Sequence, residues 1–159
     1  MILIFSKKFP FDKDRETGFK LLIDGGQKIH TIRAGSRWKH GQKIHFWDGS
    51  PRNWQHSQPF FPLPNIRNLN VEQTPEGVVI SAWHPEKIRI FYPSLSWDCP
   101  AVEIKGQPIT GEGVQRLAEN DGLTLTDFKE WFWLATNQGK EEFVGQIIHW
   151  TRKTYLPVL

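Results

Sequence analysis

GGQKIHTIRAGSRWKHGQKI, residues 25–44, is the stretch on which the reading of this chain turns. A glycine pair ends a helical pattern, and Lys28, Thr31 and Arg33 then arrive within six residues. Arg33 leads into a basic loop, Arg37-Trp38-Lys39, and Gly41 returns the chain to a β-prone run at Gln42–Trp47. A lysine and a threonine three apart face opposite sides of an ideal strand. They can share a pocket only if Lys28 lies on an irregular approach to the strand, which Gly25 and Gly26 make possible. Charge is concentrated here: Lys28 to Arg52 holds six basic residues against one acid, whereas Ala101 to Glu142 holds eight acids against four bases. A one-sided basic segment is suited to an anion such as phosphate.

Moving outward, Met1–Phe5 is apolar and β-prone and predicts a first strand. A short helix is expected over Arg15–Asp24, with Phe19, Leu22 and Ile23 on one face. Asp48-Gly49-Ser50-Pro51 predicts a turn, and the proline-rich stretch 51–75 a long loop over the expected barrel. Strands are expected over Gly77–Trp83, Lys87–Tyr92 and Ala101–Ile104. Two helices follow. The first carries Val114, Leu117 and Ala118 and stops at Asp121-Gly122. The second has Thr124 as N-cap and Leu125, Phe128, Trp131 and Phe132 as its apolar stripe. A last strand spans Phe143–Trp150, where alternation turns one of His149 and Trp150 inward.

Composition bounds the function. The 159 residues are 38% apolar and 23% charged, which suits one globular domain and excludes a coiled coil or a disordered tail. No run approaches the ~18 apolar residues of a membrane helix. The apolar start is broken at Ser6-Lys7-Lys8, too early for a secretory signal, so a cytoplasmic protein with no membrane partner is expected. A single cysteine, Cys99, rules out an internal disulfide and a multi-cysteine zinc site. The six histidines show no paired metal-ligand spacing, and no phosphate loop, dinucleotide fingerprint or nucleophile elbow is present. Net charge is +3, and eight tryptophans lie within a 13% aromatic share, a balance that suits nucleic acid or a planar base.

Three segments together resemble the ASCH domains, a branch of the PUA-like superfamily. The first is Gly26, Lys28, Thr31 and Arg33 with Gly41–Ile44 behind them; the second is LAENDGLTLTDFKEWFW, residues 117–133; the third is GQIIHWT, residues 145–151. They stand in the family's order and cover about half the chain. The resemblance implies a single α+β domain over 1–159, built on a small β-barrel with flanking helices. A loop-rich insertion around 49–100 would set it apart from the smallest members. Some members bind RNA. The branch with K-x-x-T-x-R comprises amidohydrolases that remove the acetyl group from 4-acetylcytidine without a metal or organic cofactor. By that resemblance Thr31 is the nucleophile, Lys28 its base, and Asp121, where the branch carries Glu, the acid or orienting carboxylate.

The chemistry of such a set is coherent. A threonine hydroxyl needs an adjacent base, and a lysine serves when a cleft and a cationic neighbour such as Arg33 lower its pKa. Direct pairing with Asp121 acts oppositely and favours the ammonium, so Asp121 is expected to meet the substrate's amine instead. Arg33, or backbone N–H groups at Gly25-Gly26, could stabilise the oxyanion. The alternative is a non-catalytic RNA- or nucleotide-binding module in the same cleft. Lys28, Arg33, Arg37 and Lys39 would then meet phosphate and Trp38 would stack on a base.

Overall fold

The computed structural model describes residues 1–49, 58–59, 71–74 and 77–152. Its architecture is mixed α+β, dominated by two five-stranded sheets. The first sheet is built from β1 (Ile2–Phe5), β5 (Lys43–Asp48), β8 (Gly77–Ser81) and β7 (Val71–Thr74) in that order, with β6 (Gln58–Pro59) also on β5. β1 runs parallel to β5, and the remaining pairs are antiparallel. The second sheet runs β11 (Gln107–Pro108), β10 (Ala101–Ile104), β9 (Glu86–Phe91), β12 (Phe143–His149) and β4 (His30–Ala34), antiparallel throughout. A hairpin of β2 (Lys8–Phe9) and β3 (Asp12–Glu16) stands apart.

Among the described residues the two sheets do not close into a ring of paired strands. Edge strands β1 and β4 meet through a side chain instead, the Arg33 guanidinium donating to the Ile4 carbonyl. One core fills the space between. Leu3, Phe5, Ile44, Phe46 and Ile80 come from the first sheet, and Ile88, Ile90, Ile104 and Ile147 from the second. Burying an Ile or Phe contributes about 1.5–3 kcal/mol, so a one-residue slip that turned these side chains outward would be costly.

Three helices complete the described fold: α1 (Phe19–Asp24), α2 (Gly111–Asn120) and α3 (Leu125–Ala135). α3 begins where its sequence predicts, the Thr124 hydroxyl accepting from the Asp127 N–H. α1 is shorter than expected because Arg15 and Glu16 lie in β3. Two long-range contacts hold them there: Arg15 chelates the Asp127 carboxylate at 3.0 and 2.9 Å, and the Thr17 hydroxyl donates to the Ser6 carbonyl at 2.6 Å. Gly18, at φ +66, then turns the chain into the helix.

Within 49–100 the two strands expected from sequence form as β8 and β9. β8 and β9 lie inside their sheets, and β7 forms where a loop was expected. Apart from β6 and β7, the expected 51–75 loop lies outside the described residues, as does the turn beyond Gly49. His149 and Trp150 are both buried, against the expectation of one. The strand ends at His149, and Trp150 turns into the core edge-on to Phe5 and Phe46. No helix among the described residues is long and apolar enough to cross a membrane.

Candidate functional site

The chain leaves α1 through Gly25 and Gly26 and enters β4 only at His30, so Lys28 sits on the irregular approach to the strand. The C-terminus of α2 docks against that approach, the Ile29 N–H donating to the Asn120 carbonyl at 2.9 Å. Asp121, the C-cap of α2, thereby meets Lys28. Lys28 Nζ donates to Asp121 Oδ1 at 2.8 Å and to the Asp121 carbonyl at 2.5 Å. The ammonium also lies 4.4 Å from the Phe19 ring centre. Both partners are buried, Lys28 being only 2% exposed.

A cavity of about 50 Å³ opens beside this pair, lined by Lys28, Thr31, Arg33 and Asp121 with Phe19 and Trp131 among its walls. The three residues expected to carry catalysis, 93 positions apart at their extremes, line the same cavity. Thr31 is buried, and its hydroxyl has no hydrogen-bond partner among the described residues. A larger cleft of about 260 Å³, lined by Lys7, Glu16, Thr17 and Asp48, shares Phe19 with the cavity.

Burial lowers the Lys28 pKa and Arg33 adds to the effect, while Asp121 works against both. Burial also opposes ionisation of Asp121, but Lys28 and His30 outweigh it and hold the carboxyl below its usual range. His30 faces Asp121 with Nδ1 3.6 Å from Oδ1. Its own pKa is pushed down to about 4, chiefly by burial, so the ring is neutral near pH 7. Behind it, His149 Nε2 lies 2.7 Å from Glu86 Oε1, both side chains fully buried.

The other expected site residues separate. Asp121 pairs directly with Lys28 rather than standing free for a substrate amine. The Gly25 and Gly26 N–H groups are spent on the Leu21 and Ile23 carbonyls and are not offered to an oxyanion. Trp38, expected to stack on a base, is 3% exposed and lies in the core. Its backbone is clipped by the Gln146 amide, which accepts from the Trp38 N–H at 2.9 Å and donates to the Trp38 carbonyl at 3.0 Å. Arg37 and Lys39 are exposed on the β4–β5 connection and do not line the cavity. His30, Glu86 and His149 belong to the site's surroundings; from sequence only His149 was singled out, as one of two candidates for the inward position at the end of the last strand, and the three were not joined. A second signal was His30, two residues after Lys28 at the start of a strand. Among the described residues, no three His, Cys, Asp or Glu side chains gather so as to hold a metal ion.

No protein-family model, curated protein or solved structure matches this chain.

Proposed function

We propose that this chain is an ASCH-type, PUA-like amidohydrolase acting on an acylated nucleoside or nucleobase, with 4-acetylcytidine the first substrate to test. One observation carries the reading. A fully buried lysine, paired with a carboxylate, lines the same small cavity as a threonine hydroxyl that has no partner among the described residues. Burial of this kind is how a lysine becomes a base near neutral pH. The size of the cavity supports the substrate class. The cavity of about 50 Å³ has room for a small acyl group. The base ring is left to the cleft beyond Phe19.

The steps balance within chain, substrate and water. A proton shift along the 2.8 Å Lys28–Asp121 contact gives a neutral amine and a carboxylic acid, a form that burial brings closer in free energy to the ion pair. Lys28 takes the Thr31 proton as Oγ1 bonds to the acyl carbon, and the carbonyl π pair moves onto oxygen. Arg33, on the cavity wall, faces that charge. The C–N bond then breaks, its electron pair leaves with nitrogen, and the Asp121 acid supplies the proton. A second proton shift from Lys28 to Asp121 restores the amine. Lys28 then takes a proton from water as the water oxygen bonds to the acyl carbon, the C–O bond to Thr31 breaks, and the Thr31 oxygen takes the Asp121 proton as the carboxylic acid leaves.

The test is hydrolysis of 4-acetylcytidine followed by absorbance, for the wild type, Lys28→Ala and Thr31→Val. Turnover in the wild type and none in either variant is expected. A wild type inert on acylated nucleosides and nucleobases alike overturns the reading.

A further inference from the structure

Three buried polar side chains stand behind the cavity with no part in the chemistry above. They form a row across the second sheet. His149 on β12 lies directly opposite His30 on β4, and Glu86 on β9 lies opposite Ile147, two residues from His149. Cross-strand partners share a face, and side chains alternate along a strand. Glu86, His149 and His30 therefore occupy one face of the sheet, and Thr31 belongs to the other. The row passes from a hydrogen-bond contact to a ring contact and then to an electrostatic one. Glu86 Oε1 is 2.7 Å from His149 Nε2. The His149 and His30 rings meet edge to face, 5.6 Å between centres at 83°. His30 Nδ1 lies 3.6 Å from Asp121 Oδ1, the oxygen that also receives Lys28. Glu86, His149 and His30 are each 0% exposed. Apolar side chains of similar volume would fill this position without the desolvation cost of an ionisable row. The backbone pairing of β9, β12 and β4 needs none of the three.

We infer that Glu86, His149 and His30 are positioning residues that hold Asp121, and through it Lys28, in the paired arrangement presented to the cavity. The inference rests on the hydrolase reading for its catalytic meaning and on geometry for the connection itself. An ionised Asp121 with Oδ1 3.6 Å away, just beyond hydrogen-bond reach, favours a proton on Nδ1 of a neutral His30 ring by electrostatics. Glu86 fixes His149 from the far side, and the edge of one imidazole then sets the tilt of the other. The titratable groups facing His30 are Asp121, His149 and Lys28; those facing Lys28 are Asp121 and Arg33.

The first experiment is long-range 1H–15N correlation of the histidine rings in the ¹⁵N-labelled wild type. A neutral, single Nδ1–H tautomer for His30 at pH 7 is expected; the Nε2–H tautomer or an imidazolium there overturns the inference. The second uses Glu86→Met, which removes the partner of His149, and Glu86→Gln, which keeps an acceptor. In Glu86→Met the His30 signals should depart from the single-tautomer pattern. The acid limb of kcat should move by about half a pH unit or more, with KM within about twofold. Glu86→Gln should keep the wild-type pattern, a rescue that mere filling of space does not explain. If Glu86→Met does not fold, His149→Gln is read the same way. An inert wild type with the expected His30 spectrum sinks the hydrolase reading and leaves the positioning row standing. An active wild type whose spectrum and profile ignore Glu86→Met sinks the row alone.

Discussion

Acid should find His30 before it finds the carboxylates. Burial holds the native ring at about 4, whereas an unfolded histidine titrates at 6.5. Above pH 6.5 neither state takes the proton, and stability owes nothing to the difference. Between 6.5 and 4 the unfolded chain is protonated and the native chain is not, so stability falls as pH falls through this window. The gap is worth about 3 kcal/mol in full, at about 1.4 kcal/mol per pH unit, and most of it is gone by pH 4.5. Against a typical 5–15 kcal/mol of total stability that is a large fraction. The contribution of Asp121 has the opposite dependence on native pKa but the same outcome at lower pH. Its depressed native pKa stabilises above the usual 3.8, and this is lost only as pH falls further. The assay is urea unfolding followed by tryptophan fluorescence from pH 7.5 to 4.5, for the wild type and His30→Gln. Losses common to both cancel in the difference. The wild type should lose about 2–3 kcal/mol more than the variant over that range, with m unchanged. Parallel stability curves would refute the reasoning, because the native ring would then accept a proton as readily as an unfolded one.

Three further outcomes follow from the geometry. On the proposed mechanism Thr31→Val should lower kcat by roughly three orders of magnitude or more while equilibrium dialysis shows the substrate still bound, since the change removes the proposed nucleophile and keeps the shape. Trp38→Ala should cost about 3–5 kcal/mol in denaturant unfolding, as a core residue does, and Trp38→Phe distinctly less. Gly122→Ala should destabilise by about 1 kcal/mol or more. The glycine has φ +79, and an added Cβ would stand 3.1 Å from Lys28 Cδ, so the same change should slow turnover, read from melting and activity together.

The elements legible in the sequence were those fixed by local chemistry. α3 could be read because its N-cap, first-turn acid and apolar stripe all lie within eleven residues. α1 was overextended because Arg15 is held by Asp127, 112 residues away, and no local pattern reports such a partner. Trp38 misled for a related reason. A tryptophan between two basic residues in a loop reads as a surface platform, yet Gln146 draws its backbone inward from 108 residues away. β7 was hidden in a proline-rich stretch because an edge strand of four residues needs only its neighbour β8.

The site divides along the same line. Lys28 and Thr31 were legible because they are three residues apart beside a glycine pair. Asp121 was found through the segment around it, and its direct pairing with Lys28 could not be read. Sequence reasoning set the lysine's two needs, a lowered pKa and a carboxylate partner, against each other and so moved Asp121 away. Burial resolves the conflict. In water the carboxylate would simply hold the proton on lysine. In a site this dry, two adjacent charges and two adjacent neutral groups come close in free energy, so one contact can both store the proton and release it. Asp121 then needs the ring beside it held still, because a carboxylate free to turn would lose its alignment with Lys28. That demand explains why a neutral histidine, itself braced by His149 and Glu86, occupies a core position that an apolar residue could fill.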